Sequence, residues 1–362
     1  MKKIFIIVGT RPNFIKVAPL LIQLKNNKKY KTFLIHSGQH YDYYMSKVFF
    51  DELNISPPDY YLNIGSGSQG YQTAEIMKSI EIVLTKNKPD LMIVVGDVNT
   101  TMAASIVAAK LYIKIAHIES GLRSYDKKMP EEINRIITDS ISNYLFTHSR
   151  GADKNLISEG ISKDKIFFIG NIMIDTIINN LEKIQSREKY REFNLSRKDF
   201  ILLTMHRPSN VDNEEIFRSI VGAIEEVAKN IKIVFPIHPR TVKMADKLNI
   251  KLSKIKNLKI INPLSYIDLL SIENDSRCVI TDSGGIQEES TFLNVPCFTI
   301  RENTERPITI DIGSNILVGT KTKDIVSNVE NCLNGNCKQG NIPELWDGNT
   351  SKRIIEVINH EI

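Results

Sequence analysis

The sequence predicts an α/β protein built from two doubly wound, Rossmann-like domains, and three observations lead there. Short apolar, β-branched runs alternate with amphipathic helical stretches along the chain. The runs lack polar alternation, as expected for strands of a parallel sheet covered by helices on both faces. They also fall into two series, separated by a polar, charged stretch at residues 186–198, so two parallel sheets are expected.

In the first series, residues 4–8, 32–36, 91–95, 113–118 and 144–147 read as strands, with helices over 14–25, 72–85 and 100–110. The second series places strands at 200–205, 231–236, 258–261, 278–281 and 295–300. The boundary is expected near Gly170-Asn171, giving an N-terminal domain over 1–170 and a C-terminal domain over 171–348. A last helix over 349–362 follows Pro343-Glu344-Leu345-Trp346-Asp347-Gly348 and is free to pack back on the first domain. No internal repeat or low-complexity tail interrupts this pattern.

At 362 residues the chain is long for one domain and comfortable for two, and its 42% hydrophobic and 25% charged residues are those of a globular protein. The formal net charge of +5 comes from scattered Lys and Arg, which argues against a nucleic-acid surface and suits a small anionic substrate. No apolar run approaches the ~18 residues that span a bilayer. The apolar stretch after Met1-Lys2-Lys3 is too short for a signal peptide and is broken by Gly9-Thr10-Arg11-Pro12, so it reads as the first strand. Of the four cysteines, Cys278 and Cys297 read as small buried hydrophobes. Cys332 and Cys337 have no second pair or nearby His to complete a zinc site, and the set does not suggest a disulfide framework. No metal is expected, and the chain reads as cytoplasmic.

One motif invites a different reading. Gly65-Ser66-Gly67-Ser68-Gln69-Gly70 matches the dinucleotide fingerprint G-x-G-x-x-G. It lies after two strands rather than on the first strand-to-helix turn, and Asp90 precedes a strand instead of ending one. A plain glycine loop is expected there, with no redox cofactor.

In doubly wound domains, ligands bind outside the carboxyl ends of the strands, and the chain puts polar groups at those ends repeatedly. The first strand runs into Gly9-Thr10-Arg11-Pro12-Asn13, with Lys16 about one helical turn further. Residues 91–95 deliver Gly96-Asp97, and 113–118 deliver Glu119. Pro130-Glu131-Glu132-Ile133-Asn134-Arg135 opens the next helix. In the second half, His206-Arg207 and His238-Pro239-Arg240 occupy equivalent places. Asp282-Ser283-Gly284-Gly285 reads as a strand-to-helix turn whose backbone N–H groups and helix dipole suit a diphosphate. Glu288, one turn in, is placed to accept from ribose hydroxyls, and Arg11 and Arg306 to neutralise the diphosphate from outside.

Together these segments resemble the non-hydrolysing UDP-N-acetylglucosamine 2-epimerases. The matching stretches are Gly9-Thr10-Arg11-Pro12, Gly38-Gln39-His40, Gly96-Asp97, His117-Ile118-Glu119-Ser120-Gly121-Leu122-Arg123 and Pro130-Glu131-Glu132-Ile133-Asn134-Arg135. They continue with Gly170-Asn171, His206-Arg207, Asp282-Ser283-Gly284-Gly285-Ile286-Gln287-Glu288-Glu289 and Thr304-Glu305-Arg306-Pro307, in the family's order. The resemblance implies a GT-B-like fold with the ligand cleft between its two domains. It puts Asp97, Glu119, Glu131 and His206 on catalytic positions. Arg11, His238, Ser283, Gly284, Gly285 and Glu288 fall on the UDP site, and the cations Lys16, Arg135 and Arg306 join this substrate-binding set. It also implies a homodimer, and a second, activating substrate site around Gln39, His40, Gln69, Arg207 and His238. Three departures bear on specificity: Asn13 where many members have Glu, Ser120 where Ala is common, and Pro208-Ser209-Asn210 after His206-Arg207.

The implied reaction is reversible C2 epimerisation of UDP-N-acetylglucosamine by elimination and re-addition of UDP. The C2 proton is not next to a carbonyl, so removing it alone leaves an unstabilised carbanion. Loss of UDP from C1 as the C2 proton departs avoids that. This route needs carboxylates able to serve both faces of C2 and a cationic site for the departing diphosphate. Two alternatives remain open at the level of sequence, a C2 epimerase of a UDP-2,3-diacetamido-uronic acid and a GT-B glycosyltransferase.

Overall fold

The computed structural model describes residues 1–38 and 50–362, so Gln39 and His40 lie outside the described residues. The chain divides into two compact units, residues 1–179 with 344–362 and residues 180–343.

The first unit holds strands β1 (Lys2–Val8), β2 (Tyr30–His36), β3 (Tyr60–Tyr61), β4 (Leu91–Val95), β5 (Lys114–Ile118), β6 (Tyr144–Thr147) and β7 (Ile166–Phe168) in one sheet, ordered β3-β2-β1-β4-β5-β6-β7. Every recorded pairing in it is parallel. Phe5, Ile7, Ile35, Met92, Val94 and Ile115 pack on one face against Ile80 and Leu84 of the helix Gln69–Lys86 and Ala104 and Ala108 of the helix Asn99–Lys110.

The second unit holds β8 (Phe200–Thr204), β9 (Lys232–Pro236), β10 (Leu258–Ile261), β11 (Cys278–Thr281), β12 (Cys297–Thr299) and β13 (Asn315–Leu317), all parallel, ordered β10-β9-β8-β11-β12-β13. Residues alternate between its two cores. Ile201, Leu203, Ile233, Phe235, Cys278 and Ile280 face one, and Phe200, Leu202, Val234 and Val279 face the other. Both faces of the sheet are therefore dry, which is why its strands read as unbroken apolar runs.

Strand order reverses between β1 and β4 in the first sheet and between β8 and β11 in the second. These are the topological switch points, where the chain leaves neighbouring strands in opposite directions and opens a crevice at their carboxyl ends. Strands β3, β7 and β13, each two or three residues long, carry too little periodicity to be read from sequence.

Two expectations are corrected here. The expected boundary at 170/171 sits at a packing point rather than a linker. Gly170 has φ +90°, and a Cβ on it would come within 2.1 Å of the Leu345 carbonyl oxygen. The helix Ile172–Asn179 stays in the first unit because its buried Asp175 caps the last helix, Thr350–Glu361. That carboxylate accepts from the Thr350 and Ser351 N–H groups at 3.1 and 2.7 Å. Second, Cys332 and Cys337 are joined in a disulfide. The helix Thr322–Leu333 ends and the chain doubles back, with the Gly335 N–H bonded to the Cys332 carbonyl, bringing the two Cα atoms to 4.1 Å. Among the described residues, no helix is long and apolar enough to cross a membrane.

Candidate active site

At the first switch point, the register pairs Val95 of β4 with Ile118 of β5, and the Gly96 N–H still donates to the Ile118 carbonyl at 3.0 Å. The next residues, Asp97 and Glu119, therefore leave the sheet side by side. Gly96 turns at φ +67°, and a Cβ there would sit 3.4 Å from Glu119 Oε2 and 3.6 Å from Lys16 Nζ. Glu119 itself has φ 72°, in the left-handed region that costs a non-glycine residue about 1–3 kcal/mol. The Glu119 and Ser120 N–H groups both donate to the Phe146 carbonyl, at 3.0 and 3.1 Å, which holds that turn.

Each carboxylate has a buried cation. Lys16 Nζ bonds to Glu119 Oε2, with both side chains under a tenth exposed. Arg135, 1% exposed, gives Nη1 to Asp97 Oδ2 and gives Nε and Nη2 to Glu132. Asn134 Nδ2 donates to the Asp97 carbonyl oxygen at 2.8 Å. The Pro130–Ile141 helix presents Glu132, Asn134 and Arg135 on its buried side, while Glu131 is half-buried. Burial opposes the charge of Glu132. The Ser124 backbone N–H and the Arg135 guanidinium overcome that and hold its carboxyl below the usual carboxylate range.

Behind this pair lies a second ionic layer. His117 faces two acceptors, Asp139 through Nδ1 at 2.7 Å and the Gly96 carbonyl through Nε2 at 2.8 Å. Only a ring protonated on both nitrogens donates to both. Asp139 also accepts from Arg123 at 2.7 Å and from the Gly121 N–H at 3.1 Å. Burial would raise the Asp139 carboxyl, but His117 and Arg123 hold it low. This layer fixes Gly96 from beneath, and with it the stem of Asp97.

At the second switch point, Thr204 of β8 pairs with Thr281 of β11, and their hydroxyls bond at 2.6 Å. Asp282 follows directly, and His206 after Met205. The buried Asp282 carboxylate accepts the His206 N–H at 2.9 Å and the Arg207 N–H at 2.8 Å, and lies 3.0 Å from His206 Nδ1. Burial would raise the Asp282 carboxyl; the facing imidazole and these N–H donors lower it instead. His238, across from it on the β9 end, sits with its ring 5.8 Å from that of His206 and accepts the Arg240 N–H at 3.1 Å.

The helix Gly284–Leu293 starts at Ser283, whose side chain makes no capping bond. Its first-turn N–H groups and positive dipole end are thus an anion site. Beneath them Arg306 pairs with Glu305 and Glu288, Arg301 bonds Glu305 at 2.8 Å, and Arg207 reaches the same Glu305 at 3.5 Å. Burial would raise the Glu305 carboxyl, but Arg306, Arg301 and Arg207 hold it well below the usual range. Three arginines thus converge on one carboxylate. Gly284 lets this layer reach the backbone, since a Cβ would meet Arg306 Nη1 at 2.6 Å and Glu305 Oε1 at 2.8 Å.

The sequence model of the UDP-N-acetylglucosamine 2-epimerases matches residues 22–359. The chain belongs to this family. It is 47% identical over 99% of its length to a UDP-N-acetylglucosamine 2-epimerase of Methanococcus maripaludis, covering 98% of that protein. The solved structure of the Methanocaldococcus jannaschii UDP-GlcNAc 2-epimerase, in complex with UDP-GlcNAc and UDP, is 44% identical with a TM-score of 0.92, each chain covered to 99%. A UDP-2,3-diacetamido-2,3-dideoxy-D-glucuronate 2-epimerase of Pseudomonas aeruginosa is 38% identical over 98% of this chain and 99% of its own.

The family's fold is thus present with two parallel sheets, and the structure sorts the expected residues between their switch points. It brings Asp97, Glu119, Lys16 and Arg135 together, and separately His206, Arg207, Ser283, Gly284, Glu288 and Arg306, with Gly285 in the same helix turn and His238 beside His206. Arg11 opens the first helix, Arg11–Lys25, and is half-buried. Three roles differ from expectation in detail. Lys16 and Arg135 are engaged by the carboxylates Glu119, Asp97 and Glu132, and Arg306, 5% exposed, lies under the anion site rather than outside it. Gln69 accepts from Asn99 Nδ2 at 2.6 Å, in an amide chain that continues through Asn134 to the Asp97 backbone. The glycine run lies after β3 at the sheet edge, where Ser68 caps the helix Gln69–Lys86. Sequence reasoning gave no role to His117, Glu132, Asp139 or Arg301. A His two residues before Glu119 and a second Glu beside Glu131 were visible, but nothing in their spacing showed that they turn inward.

Proposed function

We propose that this chain catalyses the reversible C2 epimerisation of UDP-N-acetylglucosamine to UDP-N-acetylmannosamine by elimination and re-addition of UDP. The observation that carries the proposal is the pair Asp97 and Glu119, leaving adjacent strands together, each bonded to a buried cation. Two carboxylates so placed are suited to take a proton from C2 and return one to it. Their cations give each a fixed direction. Glu131, half-buried in the first turn of its helix, is the further carboxylate of the same set.

The second unit holds groups suited to an anion. Departing UDP carries its charge to the first-turn N–H groups of the helix Gly284–Leu293, above Arg301 and Arg306. Preorganised donors of this kind stabilise charge as it develops, without reorganisation at the moment of bond breaking. Glu288, His206 and His238 belong to the same nucleotide site. The protein acts in the cytoplasm as a homodimer, which equilibrium sedimentation of the purified chain checks.

The deciding experiment is proton NMR with UDP-N-acetylglucosamine in D2O and no added cofactor. UDP-N-acetylmannosamine carrying deuterium at C2 is the expected product. Free N-acetylmannosamine, or no exchange at C2, rules the proposal out. Turnover of a UDP-2,3-diacetamido-uronic acid in its place moves the substrate but not the reaction.

A further inference from the structure

Asp282 was read from sequence only as part of a phosphate-binding turn, yet its carboxylate points the other way. Four groups converge on it: the His206 and Arg207 N–H groups, Asn210 Nδ2 at 3.3 Å, and His206 Nδ1 at 3.0 Å. Asn210 also donates to the Ile300 carbonyl at 2.8 Å, and Arg207 Nε to the Asp282 carbonyl at 3.0 Å. The carboxylate is therefore held by residues 206–210 after β8, with Asn210 itself anchored to the loop after β12, and its orientation toward the ring is fixed.

A carboxylate only accepts, so the ring nitrogen facing it carries the hydrogen. With Nδ1–H committed to Asp282, the proton that comes and goes is the one on Nε2, on the far side of a ring that is 42% exposed. The charged groups around the ring are Asp282 from the β11 end, the adjacent Arg207, His238 from the β9 end, and the Glu305, Arg301 and Arg306 cluster that Arg207 joins.

We propose that Asp282 is a positioning residue: it locks His206 with Nδ1–H inward, so that Nε2 gives its proton to the departing diphosphate and takes it back on re-addition. The inference rests on the reaction proposed above. In the elimination, the C1–O bond breaks with its electron pair going to the β-phosphate oxygen, and the Nε2 proton passes to that oxygen. The C2–H pair becomes the C1–C2 double bond, and the C2 proton goes to a carboxylate. On re-addition UDP returns to C1 and its oxygen gives the proton back to Nε2. C2 takes a proton on the face opposite the one it lost, so the centre inverts and no oxidant or reductant is consumed.

Asp282→Asn tests this with little change of shape. The Asn oxygen still accepts the two backbone N–H groups, but its NH2 faces Nδ1 and forces the neutral ring to hold its hydrogen on Nε2. The first readout is 15N NMR of histidine-labelled protein between about pH 5 and 8, with His206→Gln assigning the signal. Wild type is expected to keep Nδ1 protonated while Nε2 gains and loses its proton. A neutral His206 in wild type with hydrogen on Nε2 overturns the proposal, and this holds even where Asp282→Asn fails to fold. In the variant, kcat is expected to fall about 10²-fold or more with KM little changed, and the high-pH limb of the kcat profile to move. A fall in kcat with tautomer and pH profile unaltered makes Asp282 structural only and ends the proposal. Absence of C2 exchange in wild type removes the reaction but not the tautomer result, whereas an active enzyme with the wrong tautomer removes this inference alone.

Discussion

The two units share a strand order and a switch point, yet the chemistry at those switch points is opposite in kind. In the first, the ends of β4 and β5 carry carboxylates, each on a buried cation: Glu119 on Lys16, with both buried, and the more exposed Asp97 on Arg135. In the second, a helix N-terminus faces outward over arginines, and the carboxylates Asp282, Glu305 and Glu288 are the buried partners. The topology dictates only where a polar group stands free of the sheet. Which sign faces the ligand is decided by which partner is buried beneath. The first unit is thereby suited to moving protons and the second to holding an anion.

The sharpest way to break this comparison is to neutralise the carboxylates of the first unit. Asp97→Asn and Glu119→Gln are each expected to lower kcat by about 10²–10⁴-fold, with UDP affinity by calorimetry little changed. An equal loss of UDP affinity means that the division of labour is wrong. Next comes the layer beneath. Asp139→Ala removes the carboxylate that faces His117 and leaves Arg123 with Glu159 alone, and about 3–5 kcal/mol of stability is expected to go. Urea unfolding checks this, and a loss below about 1 kcal/mol would show the layer relaxing into water.

In the second unit, Gly284→Ala pushes a methyl group against Arg306 and Glu305. Overpacking of this kind costs about 1–3 kcal/mol, and UDP binding is expected to weaken by about tenfold while C2 exchange persists at saturating substrate. The smallest effect concerns pH. Burial, then repulsion from Glu289, raises the Glu273 carboxyl well above its ordinary value. Its raised value means that it favours the folded state fully only below the unfolded carboxyl pKa, and loses that contribution as pH rises. Asp282 and Glu305 are held low by their partners, so they favour folding above the ordinary carboxyl range and lose it in acid. Glu273→Gln is therefore expected to raise Tm at pH 7 and leave it unchanged near pH 4, by calorimetry. A rise of equal size at both values contradicts the sign assigned to Glu273.

Much of the fold was legible because parallel strands buried on both faces must be apolar throughout, and such runs are visible one residue at a time. The strand-end residues Asp97, Glu119 and His206 were legible for the same reason, since a charged group directly after an apolar run marks where the strand leaves the sheet. Glu131 and Glu132 show the limit. They are adjacent and alike, and only the 100° step between neighbours on a helix turns Glu132 inward to Arg135 and leaves Glu131 half-buried. The Cys332–Cys337 pair shows another, because two thiols five residues apart meet only when the chain reverses between them.

The sequence by itself determined two parallel sheets, the places where polar groups leave them, and the family to which those groups belong. The tertiary structure decided the partners. Lys16 meets Glu119 across 103 residues, Arg135 meets Asp97 across 38, and Asp282 meets His206 across 76. Such pairings depend on strand order and register, which bring distant segments within about 3 Å, and no local pattern along the chain encodes them.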